Sequence, residues 1–194
     1  DRSGASRAIG TMGVAYTGRG DYDRAMECYE QQLSISEELG DRSGVATAIG
    51  NIGNVYSRRG KYDRALECYK RDLSICEELG DRRGASRTIA NMGVVYQGRG
   101  EYDRAMECYV RMLNICEELG DRRGVAVAIG KMGNAYSSRG KYDQALECFE
   151  RDLRICEEMG DRRGISVAIG NMGLVYSKRG EYDRAQIGRA SCRE

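Results

Sequence analysis

The chain repeats itself with a strict period of 40 residues, and no other feature restricts its fold as much. "DRSG" or "DRRG" begins at Asp1, Asp41, Asp81, Asp121 and Asp161. A period between ~20 and ~50 residues marks a structure assembled from stacked copies of one small unit. Such a unit cannot bury its apolar face alone, so each copy must cover its neighbour.

Within the unit, an Ile (Ile9, Ile49, Ile89, Ile129, Ile169) is followed three places on by Met or Ile. An unvarying Gly stands next to that residue (Gly13, Gly53, Gly93, Gly133, Gly173), and a Tyr three places beyond it (Tyr16, Tyr56, Tyr96, Tyr136, Tyr176). Ile9, Met12 and Tyr16 are spaced as one face of a helix. After Gly20 a second helical stripe runs through Tyr22, Ala25, Met26, Tyr29 and Leu33. The unit is therefore predicted to be a hairpin of two helices, each of ~17 residues and ~25 Å. Gly40, Gly80, Gly120 and Gly160 suit the left-handed residue past a helix end. The Asp after each can cap the next helix, because its carboxylate accepts from free N–H groups. Gly20, Gly60, Gly100, Gly140 and Gly180 mark the turn inside each hairpin. The expected fold class is all-α: a right-handed solenoid of stacked antiparallel hairpins, with four full repeats and a truncated fifth.

These residues resemble the tetratricopeptide repeat. That family places a small Gly in the first helix, a Tyr three residues on, Gly-x-Tyr at the turn, and Ala then an aromatic in the second helix. Here those roles fall on Gly13, Tyr16, Gly20, Tyr22, Ala25 and Tyr29, and recur through Gly133, Tyr136, Gly140, Tyr142, Ala145 and Phe149. The resemblance spans residues 1–185. The chain departs from it in three ways: the period is 40, no Pro closes the second helix, and the second Ala of that helix gives way to Gln32, Asp72, Met112 and Asp152. With "NIGN" and "KMGN" in the first helix, it looks most similar to the longer Leu-Gly-Asn type of repeat.

A second layer of repetition spans 80 residues, pairing the first unit with the third and the second with the fourth. The residue after the turn Gly alternates in sign (Asp21, Lys61, Glu101, Lys141, Glu181), which predicts an alternating charge ladder along one edge. Exposed pairs of this kind contribute only ~0–1 kcal/mol each, and simple duplication of a repeat pair would also leave the alternation.

Composition narrows the chemistry. Lys and Arg (31) balance Asp and Glu (30), so no net field draws the chain to nucleic acid or a membrane. There is no His, the commonest general base and metal ligand. Seven cysteines form two columns in the second helices: Cys28, Cys68, Cys108, Cys148 and Cys76, Cys116, Cys156. Equivalents in adjacent hairpins are expected ~10 Å apart, too far for a disulfide. They read as small buried hydrophobes, and their number favours a reducing, cytoplasmic setting. The paired glutamates (Glu37–Glu38 and equivalents) point ~100° apart on a helix and read as a solvated edge, with local partners in "GDRR". "GxxG" in the first helix lacks the strand and "GK[ST]" of a phosphate loop. No enzyme, cofactor or metal constellation is expected.

The resemblance implies that first helices line a concave, ligand-contacting groove. Carried onto this sequence, its positions are Arg7, with Thr11 and Val14; Asn51, Asn54 and Arg58; Arg87 and Asn91; Lys131 and Asn134; and Asn171 and Lys178. Asn can both donate to and accept from a peptide backbone. The charged members are basic, so a peptide with acidic residues or a free carboxylate is the expected guest. The family's chaperone-tail clamp carries Lys where Gly50, Ala90 and Gly130 stand here, so that clamp is not reproduced. The expected function is a protein–protein interaction scaffold. The alternative is a structural segment that self-associates end to end through uncapped hairpins.

The pattern breaks after Ala185. "QIGRASCRE" (186–194) lacks the Tyr and Leu anchors of a second helix, and Ile187 to Glu194 reads as a translated short-read sequencing adapter. With no initiating Met, the chain is expected to be an internal fragment of a longer solenoid with an artefactual tail.

Overall fold

The computed structural model describes residues 1–181, so the break after Ala185 and the tail lie outside the described residues. Nine helices occur among them, and no strand. First helices of successive repeats are α1 (Arg2–Arg19), α3 (Arg42–Arg58), α5 (Arg82–Gly98), α7 (Arg122–Ser138) and α9 (Arg162–Arg179). Second helices are α2 (Tyr22–Glu38), α4 (Tyr62–Glu78), α6 (Tyr102–Glu118) and α8 (Tyr142–Met159). The chain divides into two compact units, Asp1–Arg99 and Gly100–Glu194. In the first, α1 packs on α2 and α3 on α4 as hairpins, while α2 on α3 and α4 on α5 join one hairpin to the next. In the second, α7 and α8 form a hairpin flanked by α6 and α9. Each unit is a stack of antiparallel helix pairs of the solenoid kind.

Local chemistry sets the helix ends. Gly40 sits at φ 65°, where a side chain would be strained. The chain reverses there, with the Gly40 and Asp41 amides donating to the carbonyls of Glu37 and Ser36. Asp41 Oδ1 then accepts from the Gly44 amide at 2.9 Å, and Asp81, Asp121 and Asp161 do the same for Gly84, Gly124 and Gly164. The last residue of "DRxG" has a second task. A Cβ on Gly84, Gly124 or Gly164 would stand 2.8, 2.5 or 2.5 Å from the Sγ of Cys76, Cys116 or Cys156. The second cysteine column is thus buried by the glycines of the motif, and all seven cysteines of the two columns are free thiols.

The cores repeat as well. Ala25, Tyr29, Ile52 and Val55 form one cluster, Ala65, Leu66, Tyr69 and Val95 another, and Ala145, Leu146, Phe149 and Val175 a third. Each aromatic lies over a helical glycine: a Cβ on Gly13, Gly53 or Gly133 would reach within 2.5, 2.7 or 2.6 Å of the ring of Tyr29, Tyr69 or Phe149. Burying one such ring is worth ~1.5–3 kcal/mol, which is available only where the facing residue is Gly. The expected face of Ile9, Met12 and Tyr16 is only partly covered, for Met12 is 52% exposed where its equivalent Ile52 is 8%. Ile52 is covered by α2 of the preceding hairpin, and no described helix precedes α1.

The edges carry ion pairs, but not those expected. Asp21 caps and pairs with Arg24 rather than reaching Lys61, and Glu101 pairs with Arg104 and Glu181 with Arg179. A different ladder joins hairpins: Arg59 to Asp23, Arg99 to Asp63 at 2.5 Å, Arg139 to Asp103 at 2.5 Å, and Arg179 to Asp143 at 2.6 Å. The paired glutamates also find distant partners instead of the local "GDRR". Glu38, Glu78 and Glu158 pair with Arg2, Arg42 and Arg122 across the open end of their own hairpins. Glu37 and Glu117 pair with Arg71 and Arg151 of the next second helix. Antiparallel packing brings the start of one helix to the end of its partner, and that proximity outcompetes sequence neighbours.

Candidate functional site

In the first unit, residues of α1, α3 and α5 meet at a cavity of about 530 Å³. Its walls include Asn51, Asn54, Arg58 and Asn91 of the expected set, with Val14 and Val94 as apolar flanks and Tyr29 and Tyr69 at the floor. The Tyr69 hydroxyl donates to Asn54 Oδ1 at 2.7 Å, and Asn91 Nδ2 donates to the same oxygen at 3.2 Å. Asn54 therefore couples one hairpin to the next, and the orientation of its amide is fixed from two sides. Burial pushes the Tyr69 phenol above its ordinary value, so it remains a donor. In the first hairpin Val14 stands where Asn54 does, and Tyr29 instead meets the Thr17 hydroxyl at 3.2 Å.

Arg7 and Thr11 lie on the exposed surface of α1 outside this cavity, the Thr11 hydroxyl donating to the Arg7 carbonyl at 3.0 Å. Arg87 is also exposed and outside it. Its charge acts instead on Asp72, which is buried at 3% exposure beneath α3 and α5. Burial raises the Asp72 carboxyl above the ordinary carboxylate value, a rise countered by a 2.6 Å hydrogen bond from Thr88, by the Cys76 thiol and by the Arg87 guanidinium.

The second unit holds a smaller cavity, about 260 Å³, among α7, α8 and α9. It brings together Lys131, Asn134 and Asn171 of the expected set, and adds Arg123, Arg163, Val127, Val167, Asp152 and Asp161. Lys131 is half-buried with its ammonium 5.9 Å from the centre of the Tyr109 ring, and burial lowers its affinity for the proton. Lys178 stands apart, donating to the Ser137 hydroxyl at 3.3 Å. The face is not purely basic, as the first-helix positions alone suggested, because Asp152 comes up from the second helix. The sequence signal for Asp72 and Asp152 is the loss of the second-helix Ala, matched by Gly50 and Gly130, where a Cβ would come within 2.8 and 2.9 Å of a carboxylate oxygen. "GxxG" is thus explained by packing: its first Gly clears a buried polar side chain and its second an aromatic ring.

The tetratricopeptide repeat profile matches residues 5–78, 84–158 and 124–187. The chain belongs to the tetratricopeptide repeat family. No curated protein sequence gives a significant match to it. Among solved structures, BtubC (BKLC) from P. vanneervenii superposes with a TM-score of 0.83 at 23% identity, covering 99% of this chain and 80% of that one. A Rap protein complexed with Competence and Sporulation Factor gives 0.82 at 17% identity, over 95% of this chain and 52% of that one. The STAND protein with a tetratricopeptide repeat sensor from Pyrococcus horikoshii gives 0.81 at 16%, over 98% and 31%. At these identities the likeness is one of fold. No described helix of the repeat array is long and apolar enough to cross a membrane.

Proposed function

We propose that this array is a protein-interaction scaffold that holds an extended peptide segment against the inward faces of its first helices. The observation that carries the reading is the convergence of Asn51, Asn54, Arg58 and Asn91 from two hairpins on one cavity with apolar walls. Amides at the spacing of successive hairpins can meet successive backbone groups of an extended chain, and Val14 and Val94 offer contact to its side chains. Arg58 favours an acidic residue or a terminal carboxylate, since its guanidinium can take both oxygens at once. The fold supports the same reading, because stacked hairpins present a long surface built from equivalent positions.

The test is fluorescence anisotropy with labelled extended peptides that differ only in acidic content. The double variant Asn51→Ala with Arg58→Ala leaves the Tyr69–Asn54–Asn91 hydrogen bonds intact and should weaken acidic peptides by roughly tenfold or more. Equal affinity for the parent chain and this variant would remove the cavity from the reading.

A further inference from the structure

Asp152 occupies the same place in its hairpin as Asp72, 80 residues earlier. Both are buried, at 7% and 3% exposure, and both accept a thiol hydrogen bond at 3.5 Å on Oδ1, from Cys156 and Cys76. They differ in what the next first helix supplies. Asp72 Oδ2 takes the Thr88 hydroxyl at 2.6 Å and has the Arg87 charge nearby. The equivalents of Thr88 and Arg87 are Ala168 and Val167, which offer neither a donor nor a cation. Among the described residues, Cys156 is the one hydrogen-bond partner of the Asp152 carboxylate. The three basic side chains that line the same cavity do not compensate it: Arg123 is paired with Asp161 at 3.5 Å, the Lys131 ammonium sits over Tyr109, and Arg163 is not among the groups that act on the Asp152 carboxyl. A buried acceptor with no donor or counter-charge is costly. Yet Oδ2 is not sealed in, because Asp152 lines the cavity bounded by Gly130, Gly164, Val127 and Val167.

We propose that this cavity is a subsite for the ammonium of a lysine side chain carried by a bound peptide, with Asp152 as the residue that selects it. The proposal rests on the groove reading above and specifies one residue of the guest. At about 260 Å³ the space lies just below the ~300–1,000 Å³ of pockets for drug-sized molecules and suits a single side chain. Val127 and Val167 flank it, and an aliphatic stem can lie along them while its charged end reaches the floor. Only one carboxylate oxygen is free, which matches a point-charge donor; a guanidinium fork needs two. The ligand thus supplies both groups that α5 supplies to Asp72 and α9 withholds from Asp152. Arg163 and Asn171 at the rim remain for acidic or carbonyl neighbours of that lysine.

The experiment uses the whole chain, with n-butylammonium and n-butanol as probes and the methyl resonances of Val127 and Val167 as the readout. Saturable shifts with n-butylammonium, absent with n-butanol, are expected. They should be lost at both valines in Asp152→Asn, and at Val127 in Val167→Arg, which restores the cation found at Arg87 without touching the carboxylate. Val167 is 54% exposed, so the arginine can be accommodated at the surface. No saturable shift, or the same shift with n-butanol, overturns the subsite. In parallel, the peptide Ac-Glu-Ala-Lys-Ala-Glu-amide is compared with its norleucine counterpart, and the lysine form is expected to bind roughly tenfold tighter or more. Equal affinity of the two peptides overturns the subsite while leaving the groove reading standing. Shifts with n-butylammonium but binding of neither peptide overturn the groove reading, and with it a peptide lysine as the occupant.

Discussion

Thr88 donates a 2.6 Å hydrogen bond to Oδ2 of Asp72, so a buried carboxylate on one helix is satisfied by a hydroxyl on the next hairpin. The same oxygen lies 3.0 Å from the Gly84 carbonyl of its own helix, so its single proton is shared between two acceptors, with the shorter contact to the carboxylate. Thr88→Val keeps the shape and removes the donor. Because Asp72 stays buried, the cost is that of an acceptor left short of partners, about 1–3 kcal/mol. Urea unfolding of the two proteins at neutral pH measures it, and an unchanged midpoint would show that the contact between α4 and α5 does not depend on this bond.

Asp152 has fewer partners and gives a pH-dependent counterpart. Burial raises its carboxyl above the ordinary value, Asp161 raises it further, and the Cys156 thiol opposes the rise. A carboxyl whose folded value lies above its unfolded one opposes folding when ionised, and that penalty fades as pH falls through the folded value toward the unfolded one. Asp152→Asn should therefore stabilise the protein near pH 7, by on the order of 1 kcal/mol for each unit of upward displacement. The advantage should shrink in mildly acid solution and disappear below about pH 4. Thermal melts of parent and variant across that range would contradict the assignment if the difference stayed constant.

Gly53 and Gly18 are both helical, yet they predict opposite responses to the same substitution. A Cβ on Gly53 would stand 2.7 Å from Tyr69 Cε1 and 3.2 Å from Cys68 Cβ, whereas one on Gly18 meets nothing within 4 Å. Ala is a better helix former than Gly by roughly 1 kcal/mol. At Gly18 that preference should appear as a gain of about 0.5–1 kcal/mol. At Gly53 it should be outweighed by overpacking of ~1–3 kcal/mol, because the Tyr69 ring is fully buried and cannot swing aside. Denaturant midpoints of the two variants should move in opposite directions.

Much of this was legible in the sequence, and what was missed has a common physical origin. The helices, their caps and the glycine-aromatic pairing follow from contacts inside one repeat, and every copy restates them. Asn51, Asn54, Arg58 and Asn91 could be placed together because equivalent positions on successive first helices must line one face. The partners of Asp23 and Glu78 could not be found by looking nearby in sequence, because antiparallel packing pairs residues about one repeat apart, Asp23 with Arg59 and Glu78 with Arg42. Asp152 was visible as a departure from the Ala of the family pattern. Its exposure to a cavity depends on what α9 lacks at Val167 and Ala168, which a repeat pattern averages away.

The second cysteine column makes the last prediction. Cys76 and Cys156 lie under Gly84 and Gly164, and burial beside Asp72 and Asp152 pushes their thiols up to about 12 and about 11. Thiolate is the reactive species, so at pH 8 both should be nearly inert in the folded protein. Cys28, half-buried in the other column, is reachable by small reagents without the hairpins separating; Cys148 is half-buried too, but burial raises its thiol as well. Iodoacetamide labelling followed by peptide mass mapping should therefore modify Cys28 well before Cys76 and Cys156. Adding urea to the unfolding midpoint should erase the difference. A Gly84→Ala variant forces the helix away from Cys76 Sγ, so it should speed labelling of Cys76 and leave that of Cys156 unchanged. Were Cys76 to react as fast as Cys28 in the parent chain, the closure of α4 by the "DRxG" glycine would be wrong.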